Sequence, residues 1–338
     1  MANMRIIDNS LYWSGVPSRE LALQLLREHN VKLFVNLYGY YGYEEEVKRE
    51  GAEVIVRPID DMCFAPIEEV HVEVLDKILK AIDEGKRVLV HCYAGIGRSG
   101  TLVCMYLIRK GDRYHVAFDK VKRSCPLWPE SLIQQIAPRW YDRLIYKVGE
   151  KVMRACYKEG SRYYFGGSLG HASSVANIAL DILEEFINKH ILLSEGWEWR
   201  VVYVAGLLHD IGHYDSSDEV HHLRSVELIS HLRSLRQFLR GKELEYVKFL
   251  VATHRSHIDP LEDDRSRLLE SRERAILLSS AIKIADAFYD VYTMEPYGGC
   301  SLEGNELIMY TESYLAERIS RKSIFLDEVG IKVRIETP

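Results

Sequence analysis

The ten residues His91-Cys92-Tyr93-Ala94-Gly95-Ile96-Gly97-Arg98-Ser99-Gly100 constrain this chain more than any other stretch. They follow an apolar run, Arg87-Val88-Leu89-Val90, that reads as a buried strand. They precede a segment, Thr101 to Arg109, that reads as a helix. Strand, tight glycine turn and helix make a cradle for an anion: successive backbone N–H groups turn inward, and the helix N-terminus adds partial positive charge. The loop carries one possible nucleophile, Cys92, and one fixed cation, Arg98. A cysteine attacks as thiolate, and inward amides at a helix mouth favour that form. Arg98 can grip two oxygens of a phosphoryl group at once. Gly95 and Gly97 keep side chains out of the curl. Tyr93, Ala94, Gly95, Ile96, Gly97 and Arg98 are therefore the expected phosphate-binding residues. Ser99 can donate to the sulfur and stabilise it as a leaving group.

The pattern His-Cys-x5-Arg-Ser resembles the signature of cysteine-dependent protein tyrosine phosphatases of the small dual-specificity type. The resemblance implies a phosphocysteine intermediate at Cys92 that water then hydrolyses. Departure of the alcohol needs a general acid, which in that family is an Asp about thirty positions before the Cys. Asp61 stands 31 positions before Cys92, in Pro58-Ile59-Asp60-Asp61 with Pro66 beyond; Asp60 is the alternative. Gln134 or Gln135 stands where such a fold can place the attacking water. Tyr38-Gly39-Tyr40-Tyr41-Gly42-Tyr43 is either a wall of a substrate pocket or a plain surface loop.

Around the signature, short apolar strands alternate with helical periodicities: a helix capped by Ser18, a strand over 31–37, a charged helix over 44–50, a strand over 54–57. This predicts an α/β domain over 1–145 with a central, mostly parallel sheet and flanking helices. From 146 to 338 long helical periodicities dominate and strand signals are few. An all-α domain with a small C-terminal β element is expected there, the tail folding as a hairpin from 306–310 and 329–335. Charge balances over 1–145, so the net −6 falls in the second part. Neither part is a basic nucleic-acid surface. Six scattered cysteines without paired spacing suit a reducing compartment. No apolar run approaches the ~20 residues that span a bilayer. A cytoplasmic protein without membrane or nucleic-acid partners is the expectation.

The second part has its own constellation. His209-Asp210 closes the apolar run 201–208, where burying both groups is costly unless something pairs with them. His171, His221-His222, His254, His257 and Asp286 are spread over other helical segments. Any metal site must be assembled from several helices, and imidazole with carboxylate suits manganese, iron, nickel, zinc or magnesium. The set His171, His209-Asp210 and Asp286 resembles the HD superfamily of metal-dependent phosphohydrolases, which implies one divalent ion on those four. Longer members add two histidines and a second ion; His254 fits the later one, and His221, with Ser225 four residues on, fits the earlier one better than His222. His190, His231 and His257 read as ordinary surface or core histidines. The contexts of His209, His254 and Asp286, with the tail 324–333, look like the C-terminal domain of exopolyphosphatase/guanosine pentaphosphate phosphohydrolase proteins.

Together these readings predict a bifunctional phosphohydrolase acting on a small phosphorylated metabolite such as a nucleotide, inositol phosphate or polyphosphate. The first domain needs no cofactor; the second needs one or two divalent ions. The alternative is a protein tyrosine or dual-specificity phosphatase, acting on phosphoprotein, whose second domain binds a nucleotide or polyanion as a regulator.

Overall fold

The computed structural model describes residues 4–338 and divides the chain into two compact units, Met1–Asp142 and Arg143–Pro338. The first is built on five strands: β1 (Arg5–Ile6), β2 (Leu11–Ser14), β3 (Val31–Asn36), β4 (Glu53–Val56) and β5 (Arg87–His91). Their order is β1-β2-β5-β3-β4. Only the short edge pair β1–β2 is antiparallel. Val88, Leu89 and Val90 of the central strand β5 are fully buried, as expected where helices cover both faces of a parallel sheet. Helix Arg19–Glu28 begins at Ser18, whose hydroxyl accepts from the Leu21 N–H at 3.2 Å. Its Ala22, Leu25 and Leu26 pack with Val31, Phe34 and Leu89.

The helix after β5 runs Gly97–Arg109, four residues longer at its start than the apolar pattern predicts. Glycines and polar residues in its first turn hide it from a periodicity reading. The backbone decides the matter: Gly100 N–H donates to Ile96 C=O at 3.0 Å. Arg98 and Ser99 consequently project from a helix.

The second unit is mainly helical. Leu169–Asn188, Glu198–Leu208, His221–His231, Glu243–Ala252 and Arg272–Ala285 are its principal helices around the metal-type residues. The tail differs from expectation. β6 (Tyr297–Glu303) and β7 (Glu306–Thr311) form the hairpin, turning at Gly304 with φ +61°. β8 (Lys332–Glu336) then adds to β7 in parallel, so 306–310 and 332–335 are not hairpin partners. A parallel return needs a long crossover, and helix Ala316–Lys322 lies within it. No helix of the described residues is long and apolar enough to cross a membrane.

Candidate active site and candidate metal centre

Strand β5 delivers Cys92 into the turn before helix Gly97–Arg109, and the cysteine is almost completely buried. Gly95 adopts φ +69°, and a Cβ there would meet Gly15 N at 2.2 Å and Ser14 O at 2.5 Å. The loop is thus seated on the end of β2, with Val16 N–H donating to Tyr93 C=O at 3.0 Å. Ser99 Oγ lies 3.2 Å from Cys92 Sγ. The Arg98 guanidinium is buried; it donates to Ile59 C=O at 2.7 Å and pairs with Asp61 Oδ1 at 2.9 Å. Asp61 itself is three-quarters exposed, 75% of its side chain facing solvent. Tyr38, Ile59, Asp60, Asp61, Tyr93 and Arg98 line one small cavity of about 220 Å³. Tyr38 and Tyr93 pack in a tilted pair with ring centroids 5.2 Å apart, and Arg98 lies over Tyr38. Of the two candidate glutamines, Gln134 is buried and donates to Cys63 C=O at 3.4 Å, while Gln135 is exposed.

His91 stands directly before the cysteine, its Nε2 2.6 Å from the Tyr43 hydroxyl. Burial pushes its pKa down to about 4, so the ring stays neutral. The positive charges bordering the loop are therefore those of Arg98 and of Arg5, which donates to the Gly95 carbonyl at 3.0 Å.

In the second unit, two carboxylates sit at helix C-termini. His209 and Asp210 end helix Glu198–Leu208, and Asp286 caps Arg272–Ala285. A helix C-terminus repels a carboxylate and welcomes a cation. Ser168 caps Leu169–Asn188 and holds His171 in its first turn. Gly212 lets helix His221–His231 approach closely: a Cβ there would meet the His221 carbonyl at 2.1 Å, and Gly212 N–H donates to Ser225 Oγ at 2.8 Å.

These elements converge on Asp210. Its Oδ2 lies 3.2 Å from His209 Nε2 and 3.6 Å from His171 Nε2. Its Oδ1 lies 3.2 Å from His221 Nε2 and 3.6 Å from His254 Nε2. Asp286 Oδ1 faces His171 and His209 at 3.3 and 3.6 Å. Each histidine ties its Nδ1 to a backbone carbonyl: His171 to Phe288 at 3.0 Å, His209 to Gly206 at 2.8 Å, His221 to Asp218 at 2.6 Å, His254 to Val251 at 2.7 Å. Those bonds place the Nδ1 proton outward and aim a lone pair at the centre, as metal-ligating histidines require. His209 Nε2 is buried without a partner in hydrogen-bonding geometry. Inward nitrogens, acidic oxygens and no thiolate fit a divalent ion of the expected kind. Burial opposes charge on His171 and His209, yet Asp210 and Asp286 raise them to about 10 and 9. Burial and the neighbouring His209 push His254 down to about 3. Despite burial, both carboxylates are held well below the ordinary range, Asp210 by the surrounding imidazoles and Asp286 first by Lys322 and then by His171 and His209.

His222 stays outside this cluster, its Nδ1 buried without a partner. His257, read from sequence as ordinary, lines a cavity of about 220 Å³ beside Asp210, with Arg255 and Lys322. Arg255 follows His254 on a turn that the buried Lys283 holds, donating to Arg255 C=O and to Ile258 C=O. Lys322 pairs with Asp286 Oδ2 from far along the chain. A basic residue next to a candidate ligand was the available signal for Arg255; for Lys322 there was none.

The family model for the dual specificity phosphatase catalytic domain matches residues 11–137, and that for the HD domain matches 168–289. A protein of invertebrate iridescent virus 6 named as a tyrosine phosphatase is 38% identical over 115 residues, which are 30% of this chain and 80% of the viral one. The chain belongs to the dual-specificity phosphatase family, and an HD domain follows. Human phosphatidylglycerophosphatase and protein-tyrosine phosphatase 1 is 31% identical over 109 residues, 30% of this chain and about half, 54%, of the human one. Among solved structures, Tk-PTP in its active form is 28% identical with a TM-score of 0.39; the match covers 42% of this chain and 98% of that one. The chain is thus a phosphatase of the tyrosine/dual-specificity type, a hydrolase, with an HD domain. Lys322 lies beyond the HD match, so the C-terminal segment contributes a charge that the family pattern does not contain.

Proposed function

We propose that the chain is a two-headed phosphohydrolase, with Cys92 chemistry in the first domain and metal-dependent hydrolysis in the second. At the first site Cys92 Sγ attacks phosphorus, the bond to the alcohol oxygen breaks, and Asp61 gives that oxygen its proton. Water then attacks phosphorus, the P–S bond breaks, Asp61 takes the water's proton and Ser99 donates to the departing sulfur. Arg98 and the amides of residues 93–98 hold the phosphoryl oxygens. The placement of Asp61 beside Arg98 supports this assignment over Asp60: it sets that carboxyl at the edge of the phosphate position, and a bound phosphoryl group would take Arg98 from it and leave it free to carry the proton.

At the second site His171, His209, Asp210 and Asp286 would hold one divalent ion, and Asp210 would share a second with His221 and His254. A bound divalent ion supplies Lewis acidity towards a phosphomonoester or phosphodiester. The chain's own part is to aim four Nε2 atoms at the centre with each Nδ1 tied to a carbonyl, and to offer Arg255, His257 and Lys322 to the substrate's anionic oxygens. The observation that carries the two-headed reading is the pair of histidines on each oxygen of Asp210, which a purely regulatory domain has no need to keep. We assign the substrate to small phosphorylated metabolites, because the second cavity is lined by charged and polar side chains alone.

A second reading has its own support. Tyr38 and Tyr93, which pack on each other in a tilted pair and line the cavity beside Arg98, offer an aromatic wall to an aryl phosphate, as a phosphoprotein phosphatase regulated by its HD domain would require. One experiment separates the two. Cys92→Ser, loaded with manganese, should retain hydrolysis of a generic phosphodiester while losing all turnover of an aryl phosphate. If both activities vanish with Cys92, the HD domain is regulatory and the two-headed reading fails.

A further inference from the structure

Trp13 sits on β2 beside the strand that ends in the cysteine, paired with Val90, while Ser14 pairs with His91. Its indole is fully buried, and Nε1 donates to Ser99 Oγ at 2.9 Å. The same Ser99 oxygen lies 3.2 Å from Cys92 Sγ. An indole N–H can only donate. Ser99 Oγ must therefore accept from Trp13, and its single hydrogen is left for another acceptor, with Cys92 Sγ at hand. We propose that Trp13 is a positioning residue for the cysteine chemistry: by filling one of the two lone pairs of Ser99 Oγ it turns the hydroxyl hydrogen towards Cys92 Sγ, so that serine donates to sulfur. This rests on reading Cys92 as the nucleophile. A bond donated to sulfur favours the thiolate before attack and receives the sulfur again when water displaces it from phosphorus. Without the indole, the buried hydroxyl is free to turn and accept from S–H, which stabilises the inert thiol.

The packing holds the indole to this task. A Cβ on Gly100 would lie 3.0 Å from Trp13 Cζ2 and 2.6 Å from Trp128 Cδ1, so only glycine lets the helix settle on both rings. Trp128 cannot substitute as donor, since its own Nε1 is engaged with Thr101 Oγ1 at 3.1 Å. The Arg5 guanidinium covers the Trp13 ring at 4.7 Å and donates to Gly95 C=O at 3.0 Å. The charged and titratable groups around the cysteine loop are Arg98 on the loop itself, His91 on β5, Asp61 on the facing loop, Arg5 on β1 and Glu130, whose carboxylate lies against Gly97. Trp13→Phe keeps all of them, and a ring for Arg5, while removing the N–H together with part of the indole's volume.

The test uses the full chain. The pH dependence of Cys92 alkylation by iodoacetamide, followed by mass spectrometry of its peptide, is compared with the acidic limb of kcat/KM for an aryl phosphate. In Trp13→Phe both midpoints should move up by about one pH unit. Ser99→Ala should move them comparably, and the double variant no further than Ser99→Ala alone. An unmoved midpoint in Trp13→Phe, even with a lowered Tm, makes Trp13 a packing residue and overturns the proposal; additive shifts in the double variant do the same. Should Trp13→Phe fold poorly, Ser99→Thr preserves both bonds and should keep the wild-type midpoint where Ser99→Ala does not; equal midpoints overturn the proposal. Retained aryl phosphate turnover in Cys92→Ser would instead sink the reading of Cys92 itself.

Discussion

Asp61 and His91 carry opposite lessons about single residues at this site. Asp61 is exposed and held by Arg98, so its removal should leave folding intact and act on chemistry alone. Asp61→Asn is expected to slow a poor leaving group such as phenolate by about 100-fold, and an activated leaving group by far less, as for a lost general acid. Leaving-group dependence of kcat measures this; equal losses on both would move the acid role to Asp60. His91 is buried and neutral, its pKa pushed down to about 4. A lowered histidine pKa contributes stability that is fully present above the ordinary value, about 6.5, and is lost as pH falls towards the folded value. The first domain should lose about 3 kcal/mol between these limits on this account. Thermal melts from pH 7 to pH 4 on wild type and His91→Gln test it: the variant's own decline should be shallower. Parallel declines would assign the loss to other groups.

At the scale of elements, the reactive loop is held less by its own turn than by the strand beneath it. Gly95 needs positive φ, and its Cα presses on the backbone of Ser14 and Gly15. Backbone cannot move aside as a flexible side chain can. Gly95→Ala should therefore displace the loop, destabilise the first domain by about 2–4 kcal/mol and reduce aryl phosphatase turnover to background. Circular dichroism melts and a steady-state assay on the same preparation check both; near wild-type turnover would show that the loop has slack. The tail sheet shows the limits of periodicity at this scale. The run 297–303, Tyr-Gly-Gly-Cys-Ser-Leu-Glu, has weak strand propensity, yet it pairs across the Gly304 turn, because β7 supplies an apolar partner.

For the whole molecule, the two units can be tested apart because their requirements differ. The HD residues come from five helices and hold acidic groups against helix C-termini, so a bound cation should offset a local electrostatic cost. Adding manganese to the chelator-treated chain at about 100 times its Kd should stabilise the second unit by about 3 kcal/mol. Hydrogen exchange resolves the two units: slowed exchange is expected in helices 169–188, 198–208 and 272–285, with the reactive loop of residues 92–98 unchanged. Asp210→Asn should abolish that protection. Protection confined to the first unit, or none, would remove the metal assignment.

Much of this protein could be read from residue order alone. The spacing of Cys92, Arg98 and Ser99, the strand before them and the His209-Asp210 pair are local patterns, and the physics that needs them acts over one turn of chain. The distant candidates His171, His254 and Asp286 were legible only through the resemblance to the HD superfamily, because no local pattern ties them to the His209-Asp210 pair. Only the tertiary structure decided which groups share an oxygen. It set His221, and not its neighbour His222, against Asp210, because Gly212 and Ser225 fix the rotation of that helix. It brought Lys322 to Asp286, and it placed the Trp13 N–H on Ser99, across 36 and 86 positions. Hydrogen bonds of that reach follow from packing, and one helix turned by a single residue would point each donor elsewhere.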